Sequence, residues 1–159
     1  MVDRGPHSKQ VLEWFMKNGT AILGNHEHLL YTSRTDNYMA EIYLRNGGIA
    51  TIQSFFPEAD VNRLNGKHYM YGWLQDEAKT TQDDPWPTRI DYFRYCLSFI
   101  PQDIFAWLES LPLYLERDGI FISHAPKNPI LSLEKACDLV RYFDNSIIWN
   151  RGSPRRMQD

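Results

Sequence analysis

The fold is indicated most clearly by residues 8–27, which read SKQVLEWFMKNGTAILGNHE. From Val11 onward the apolar residues recur at the spacing of one helix face, so a helix is predicted over residues 9–17. Ser8 is suited to cap this helix, because its hydroxyl can accept a hydrogen bond from a free backbone amide. Asn18-Gly19 is expected to end the helix, since glycine readily adopts the left-handed conformation that follows many helices.

The residues that follow predict an α/β arrangement. Residues 20–23, TAIL, have the character of a short buried strand, and Gly24-Asn25-His26-Glu27 is predicted to be the loop that leaves it. A second helix is predicted from His28 to about Leu44, where the sequence NGG at residues 46–48 stops it. The order helix, strand, loop and helix is typical of a sheet with helices on its faces.

The middle of the chain, residues 51–94, is predicted to be less regular than its flanks. It places aromatic residues among Asn, Asp and Pro, and large apolar side chains of this kind usually form a small core. The aromatic residues in question are Phe55, Phe56, Tyr69, Tyr71, Trp73, Trp86, Tyr92 and Phe93.

The last third of the chain again predicts regular structure. A helix is expected over residues 102–110, with a proline at its first position. Asp118-Gly119 stands between two short apolar segments, which is a strong signal for a β-hairpin, and the second strand would end at His124. Ser132 is expected to cap a further helix that extends to about Phe143.

Composition limits the classes of protein to consider. The 159 residues predict a single domain, and the formal net charge of −3 gives no electrostatic reason to expect nucleic acid or anionic lipid as a partner. The sequence contains no apolar run long enough for a membrane span. Cys96 and Cys137 lack a paired spacing and are expected to be reduced thiols, so the chain is predicted to be a soluble cytoplasmic protein.

Reactive side chains are expected where the predicted strands pass into loops. Three such junctions carry them: Asp3-Arg4-Gly5, Gly24-Asn25-His26-Glu27 and Ser123-His124-Ala125. Sites in α/β sheets form at the C-terminal ends of strands, so these three segments are expected to converge although they are far apart in sequence.

The order of these motifs resembles that of the calcineurin-like metallophosphoesterases, in particular the serine/threonine protein phosphatases of the compact bacterial and phage type. The resemblance includes the continuation of the first motif into Pro6, the Leu111-Pro112 step ahead of the hairpin, and Trp149-Asn150-Arg151 near the end. It implies a metallophosphoesterase-like sandwich of mixed β-sheets flanked by helices. It also implies hydrolysis of phosphate monoesters, with a phosphoprotein or small phosphoester as substrate.

The resemblance implies a role for six residues. Asn25 and His124 correspond to ligands of one of two divalent metal ions, which could be Mn, Fe or Zn. The implied general acid is His26, with Asp3 as the group that orients its ring. Arg4 and Arg151 would bind phosphate oxygens, and paired metal ions would activate the attacking water. The implied roles belong to Asp3, Arg4, Asn25, His26, His124 and Arg151.

The sequence also departs from this family pattern. It lacks a Gly-Asp-x-His-Gly block, the metal-bridging Asp that normally precedes Asp3, and a histidine block after Arg151. The resemblance is therefore to a domain truncated at both ends, with an incomplete metal site and little expected activity of its own. Two alternatives stay open: a symmetrical diadenosine polyphosphate hydrolase, and a non-catalytic phosphate-binding relic.

The histidines have simpler interpretations as well. His26 and His28 could be solvated loop residues, while His7 and His68 match no family position and are predicted to lie at the surface.

Overall fold

The structure is a computed structural model that describes residues 1–65, 85–86, 88–128, 130–142 and 146–149. Helices make up most of it. The described α-helices are α1 (Ser8–Asn18), α2 (Asn25–Thr32), α3 (Asn37–Arg45), α4 (Gly48–Phe55), α5 (Val61–Asn65), α6 (Arg89–Leu97), α7 (Gln102–Ser110) and α8 (Leu133–Asp138). A 3₁₀ turn, Leu139–Tyr142, follows α8, and the strands are β1 (Tyr114–Arg117) and β2 (Ile120–Ser123).

The described sheet is the predicted hairpin. The strands β1 and β2 pair antiparallel, with Arg117 opposite Ile120 and Tyr114 opposite Ser123. Asp118 and Gly119 both have positive φ, 53° and 75°, as the tight turn requires, and this explains the Asp-Gly signal. The broad prediction of a mixed helix and strand protein is therefore confirmed as helices with a small antiparallel sheet.

The first helix is confirmed and ends at Asn18-Gly19 as predicted, but the capping role of Ser8 and the left-handed conformation of Gly19 are wrong. Ser8 lies inside α1 and is buried, and its hydroxyl hydrogen-bonds that of Thr51 at 3.1 Å, so it does not cap the helix. Gly19 is extended, with φ −118° and ψ 163°, and not left-handed. The Gly19 Cα lies so close to the Phe15 ring that an added Cβ would come within 2.4 Å of it. Close contact, and not backbone conformation, explains the glycine here.

The predicted strand at residues 20–23 is wrong within the described part of the chain. The segment is extended, but its backbone contact to another element is a single hydrogen bond, from the Leu23 amide to the Pro112 carbonyl at 2.8 Å. A strand requires a ladder of such bonds with a neighbour, and one bond does not make a ladder. The segment instead connects α1 to α2.

The predicted second helix is divided in two. The chain turns at residues 33–36, and Asp36 caps α3 by accepting hydrogen bonds from the amides of Tyr38 and Met39 at 2.8 and 3.1 Å. The apolar spacing typical of a helix continues through this turn, so the spacing alone does not reveal where α2 ends and α3 begins. The prediction that the NGG sequence stops the helix is confirmed, since α3 ends at Arg45 and Gly47 has φ 100°.

The middle of the chain is more helical than predicted, because residues 51–94 contain most of α4, all of α5 and part of α6. A small aromatic cluster does form, with Phe56 stacked on Phe99 at 4.0 Å and Trp86 beside Tyr95 at 4.4 Å. Phe93 instead belongs to the main core, where it packs against Tyr43. Three of the aromatic residues named above, Tyr69, Tyr71 and Trp73, lie outside the described residues, as does His68.

The C-terminal helices follow the sequence closely. The helix α7 has the predicted bounds, although Pro101 is its N-cap and not its first helical residue. Ser132 caps α8 through the Lys135 amide, and the helix changes to a 3₁₀ turn after Asp138. Cys96 is buried and Cys137 partly buried, and both thiols are free. None of the helices in the described part of the chain combines the length and apolar character needed to cross a bilayer.

Candidate functional site

An open cleft of about 670 Å³ collects most of the residues that the motifs single out. Its walls come from the N-terminal segment, the first turn of α2, the α3–α4 turn and the end of β2. The lining residues are Met1, Val2, Arg4, Gly5, Asn25, His26, Glu27, Asn46 and His124. The predicted convergence of three distant segments is therefore observed within the described residues.

The segment predicted to be a loop at residues 24–27 is in fact the start of α2. Gly24 is the extended N-cap, and Asn25 opens the helix. A Cβ at Gly24 would lie 2.3 Å from Glu27 Oε2 and 3.1 Å from His124 Nδ1, so a larger residue would push these side chains apart. Because Asn25 and His26 are successive residues of a helix, their side chains point in different directions and contact different partners.

Asp3 and His26 form a close polar pair. Asp3 Oδ2 lies 2.6 Å from His26 Nδ1, with the Asp3 side chain fully buried and the His26 side chain 19% exposed. With Asp3 ionised, His26 donates its Nδ1–H to the carboxylate, which leaves Nε2 as the ring nitrogen for other chemistry. His26 is therefore not a solvated loop histidine.

Asp3 is itself held from behind by residues that the sequence motifs do not include. Thr51 Oγ1 accepts a hydrogen bond from the Asp3 amide at 3.0 Å and donates one to Asp3 Oδ1 at 2.7 Å. Asp3 has φ 75°, a left-handed conformation that Asp tolerates better than most residues. Burial, together with the Asp3 carboxylate, raises the pKa of nearby Tyr43 well above its ordinary value of 10. A threonine on a helix face carries no sequence signal for this role.

Asn25 and His124 meet across the cleft. Asn25 Oδ1 lies 2.9 Å from His124 Nε2 and also accepts the His26 amide at 3.1 Å. Burial against the surrounding groups lowers the pKa of His124 below 6.5, so its ring is neutral at neutral pH. The two predicted ligands are thus adjacent, with the imidazole in the form that can bind a cation.

Glu27 is a second buried carboxylate that the motif roles leave unassigned. Its Oε1 accepts hydrogen bonds from the Met1 ammonium at 2.8 Å and from the Val2 amide at 3.3 Å. The residue is 4% exposed. It anchors the N-terminal segment against α2 and so helps to place Asp3 beside His26.

The two predicted phosphate-binding arginines differ in what the structure describes. Arg4 is exposed at the cleft and also borders a neighbouring depression of about 540 Å³. Arg151 lies outside the described residues, so its predicted role stays a prediction. Trp149, from the same motif, packs edge-on against His28 with ring centroids 6.3 Å apart.

The surface prediction for His7 is confirmed, but the solvated interpretation of His28 is wrong. His7 is exposed at the start of α1. His28 is 4% exposed and lies against Tyr31 and Trp149. Burial lowers the pKa of His28 to about 4, because the apolar surroundings disfavour the imidazolium.

The residues of the cleft do not fit a two-metal centre. Among the described residues, no three His, Cys, Asp or Glu side chains cluster in a way that could hold a metal ion. Both Asp3 oxygens are engaged by His26 and Thr51, and Glu27 Oε1 is engaged by the N-terminal segment. Asn25 and His124 are the two described ligands that the resemblance implies, and two ligands are fewer than the three of even a catalytic zinc site.

The small number of ligands predicts that the 159-residue chain retains little metal. After incubation with Mn²⁺ and dialysis, elemental analysis is expected to find fewer than two ions per chain, and phosphatase activity should be negligible. The reason is that two neutral ligands without a bridging carboxylate cannot hold two like charges close together. Two tightly bound ions with robust turnover would contradict this expectation and would show that residues outside the described ranges complete the site.

The cleft brings together three kinds of polar group. Its geometry joins a buried carboxylate–imidazole pair, an amide–imidazole pair and an exposed guanidinium. No protein-family model, curated protein or solved structure matches the sequence or the fold.

Proposed function

We propose that the cleft belongs to a phosphatase site that hydrolyses phosphate monoesters, with phosphoserine or phosphothreonine in a protein as the preferred substrate class. The observation that carries this proposal is the 2.6 Å contact between Asp3 and His26 at the wall of the cleft that Arg4, Asn25 and His124 also line. Hydrolysis of a phosphate ester forms a bond from a water oxygen to phosphorus as the ester oxygen departs, so it needs a proton for the departing oxygen and positive charge near the phosphoryl oxygens. His26 and Arg4, which both line the cleft, are suited to supply these two.

The Asp3–His26 pair supplies the proton. The buried carboxylate fixes which ring nitrogen faces the cleft, so His26 can protonate the departing alkoxide through Nε2. Thr51 keeps the Asp3 carboxylate in place, because a carboxylate bonded at both oxygens cannot rotate away from the ring. In this arrangement His26 is the catalytic acid, and Asp3 and Thr51 position it.

Arg4 supplies the charge that holds the phosphoryl group. A guanidinium can donate two parallel hydrogen bonds to phosphate oxygens, which a lysine cannot do. Arg4 is exposed at the cleft and forms no ion pair with another described residue, so its charge is available to a ligand. Arg151 is a second candidate for the same role by motif resemblance.

Metal-dependent chemistry is part of the proposal by resemblance, with Asn25 and His124 as candidate ligands of one ion. Because the described residues do not fit a two-metal centre, no step is assigned to a metal ion here. The metallophosphoesterase-like sandwich is likewise a part of the proposal that rests on the sequence resemblance. A cytoplasmic location is also proposed, on the basis of the unpaired cysteines and the absence of a long apolar run in the sequence.

A second candidate function is phosphate binding without hydrolysis. The observation that favours it is the small number of available metal ligands in the cleft, beside a guanidinium that needs no metal in order to bind phosphate. Turnover separates the two candidates: para-nitrophenyl phosphate, a phosphoserine peptide and symmetrical diadenosine tetraphosphate are offered to the chain after it has been extended by a Gly-Asp-x-His-Gly block and the metal-bridging Asp and loaded with Mn²⁺. Faster release of phosphate from the peptide than cleavage of the dinucleotide would support the preferred function, and binding without any turnover would support the second.

The arginine assignment predicts a loss of phosphate affinity. Replacing Arg4 by Ala should weaken binding of inorganic phosphate or vanadate by about 1.5–3 kcal/mol, the value of a hydrogen bond to a charged group. Isothermal titration calorimetry measures the change directly.

Arg117 offers the matched control for this substitution. It lies on the hairpin with its side chain 89% exposed and contacts the adjacent Asp118 at 3.5 Å, so Arg117→Ala should leave phosphate affinity unchanged. An equal loss in both variants would indicate a general charge effect and would contradict a specific role of Arg4.

A further inference from the structure

A second concave site lies on other elements of the fold, away from the cleft. It is a pocket of about 410 Å³ between the end of α6, the start of α7 and the turn after α2. Two arginines, Arg34 and Arg94, line it together with the apolar side chains of Leu97, Ile100 and Phe105. None of these residues lines the cleft described above.

The guanidinium of Arg94 has neutral partners. Its Nε donates to the Arg34 backbone carbonyl at 3.1 Å, and Nη2 donates to Asn37 Oδ1 at 2.5 Å. Arg94 is partly buried, yet it forms no ion pair with any carboxylate of the described residues. A partly buried charge usually has a counter-charge, because neutral acceptors do not replace the hydration that burial removes.

Arg34 brings a second positive charge to the same pocket. One of its terminal nitrogens pairs with Glu109, and another lies 3.4 Å from Gln102 Oε1. Its guanidinium stacks over the Phe105 ring at 4.4 Å, which holds the planar group at the pocket wall.

The charges that face the pocket sum to a net positive site. Glu109 offsets one of the two guanidinium charges. Asp36, the acidic residue nearest to Arg34 in sequence, uses its Oδ1 to cap α3. The N-terminus of α7 opens at Gln102 and adds the positive end of a helix dipole, which Asp103 in its first turn partly offsets.

The rest of the wall is apolar. Leu97 and Ile100 are 4% and 3% exposed and form the floor beside the ring of Phe105. A volume of this size lies at the lower end of the range for small-molecule sites. A ligand that fills it would present one charged group to the arginines and apolar carbon to the floor.

We propose that this pocket binds a small organic anion, with a single carboxylate or phosphoryl group bonded to Arg94 and an aromatic or other apolar group against Leu97 and Ile100. The charged group supplies the counter-charge that Arg94 lacks among the described residues. This site is independent of the proposed phosphatase function, since it shares no residue with the cleft.

Titration of the ¹⁵N-labelled chain with three probes tests the proposal. The probes are 3-phenylpropanoate, phenylphosphonate and the neutral 3-phenylpropanol, and the readout is the shift of the backbone amides of Ser98 and Gln102. We expect saturable shifts with at least one anion and none with the alcohol, and binding that weakens as salt is added. The anion that binds more tightly identifies the carboxylate or the phosphoryl group as the preferred ligand.

Three variants make the test specific. Arg94→Gln should weaken binding roughly tenfold to a hundredfold, as expected for a lost charge-assisted hydrogen bond. Ser98→Glu, at an exposed lining position, should compete by placing a carboxylate in the pocket, and it decides the matter if Arg94→Gln does not fold. Arg45→Gln, on α3 and outside the pocket, should bind as the parent does.

Four results would overturn the proposal. They are equal binding of the neutral alcohol, unchanged affinity of Ser98→Glu for the anions, shifts confined to amides of the cleft that contains Arg4 and His26, and no saturable binding of either anion.

Discussion

In a form of the protein extended by the Gly-Asp-x-His-Gly block and the metal-bridging Asp, so that it binds two metal ions, replacing His26 by Asn is expected to slow hydrolysis of an alkyl phosphate by about 10²–10⁴-fold. Hydrolysis of para-nitrophenyl phosphate should slow much less, because its leaving group is a weak base that departs without a proton. The 2.6 Å contact with buried Asp3 is the structural reason, since it orients His26 to donate from its other nitrogen. Steady-state rates on the two esters give the ratio that matters.

The exposed histidine at the start of α1 is the control for this experiment. His7→Asn changes an imidazole that lies outside the cleft lining and should leave both rates as they are. Equal losses on both esters in His26→Asn would rule out a general-acid role and would leave His26 as a residue that shapes the cleft.

Acidification is expected to destabilise the fold through His28. Its pKa is about 4 in the folded chain and about 6.5 when unfolded, so the unfolded state binds more protons between these values. Burial of His28 therefore costs no stability above about pH 6.5, and the free energy of unfolding falls as the pH drops toward 4. The loss reaches about 3 kcal/mol at about pH 4. Urea unfolding at a series of pH values measures it.

A neutral ring at the same position isolates the effect from the titration of carboxylates. His28→Phe keeps an aromatic side chain against Tyr31 and Trp149 but cannot take up a proton, so its unfolding free energy should fall less between about pH 7 and pH 4. His7→Phe, at an exposed position, should follow the parent curve. Identical curves for the parent and His28→Phe would mean that His28 is not buried as a neutral ring.

Local sequence signals predicted well those elements that neighbouring residues determine. The hairpin follows from Asp118-Gly119, because few residue pairs adopt two successive positive φ angles without strain. The helix α7 follows from its proline start and the Leu111-Pro112 end. Both depend on backbone conformations of adjacent residues, and such conformations are encoded locally.

The failures share a different cause. Residues 20–23 have strand character, yet they form no strand because a ladder partner is a tertiary property, and here the contact is one bond to Pro112. The division of the second helix at residues 33–36 coincides with a turn and with the Asp36 cap of α3, neither of which the apolar spacing encodes. Short apolar runs and long periodic runs are therefore ambiguous without knowledge of their neighbours.

The candidate site divides in the same way. The sequence by itself determined the chemical groups of the candidate site, since the order of the motifs points to Asp3, Arg4, Asn25, His26 and His124. Only the tertiary structure decided that Asp3 pairs with His26, that Asn25 pairs with His124, and that Thr51 holds Asp3. It also decided that His28 is buried and that Arg34 and Arg94 meet in a second pocket. The physical reason is that residue type specifies what chemistry a side chain can do, whereas its partners and its burial depend on packing between elements far apart in the chain.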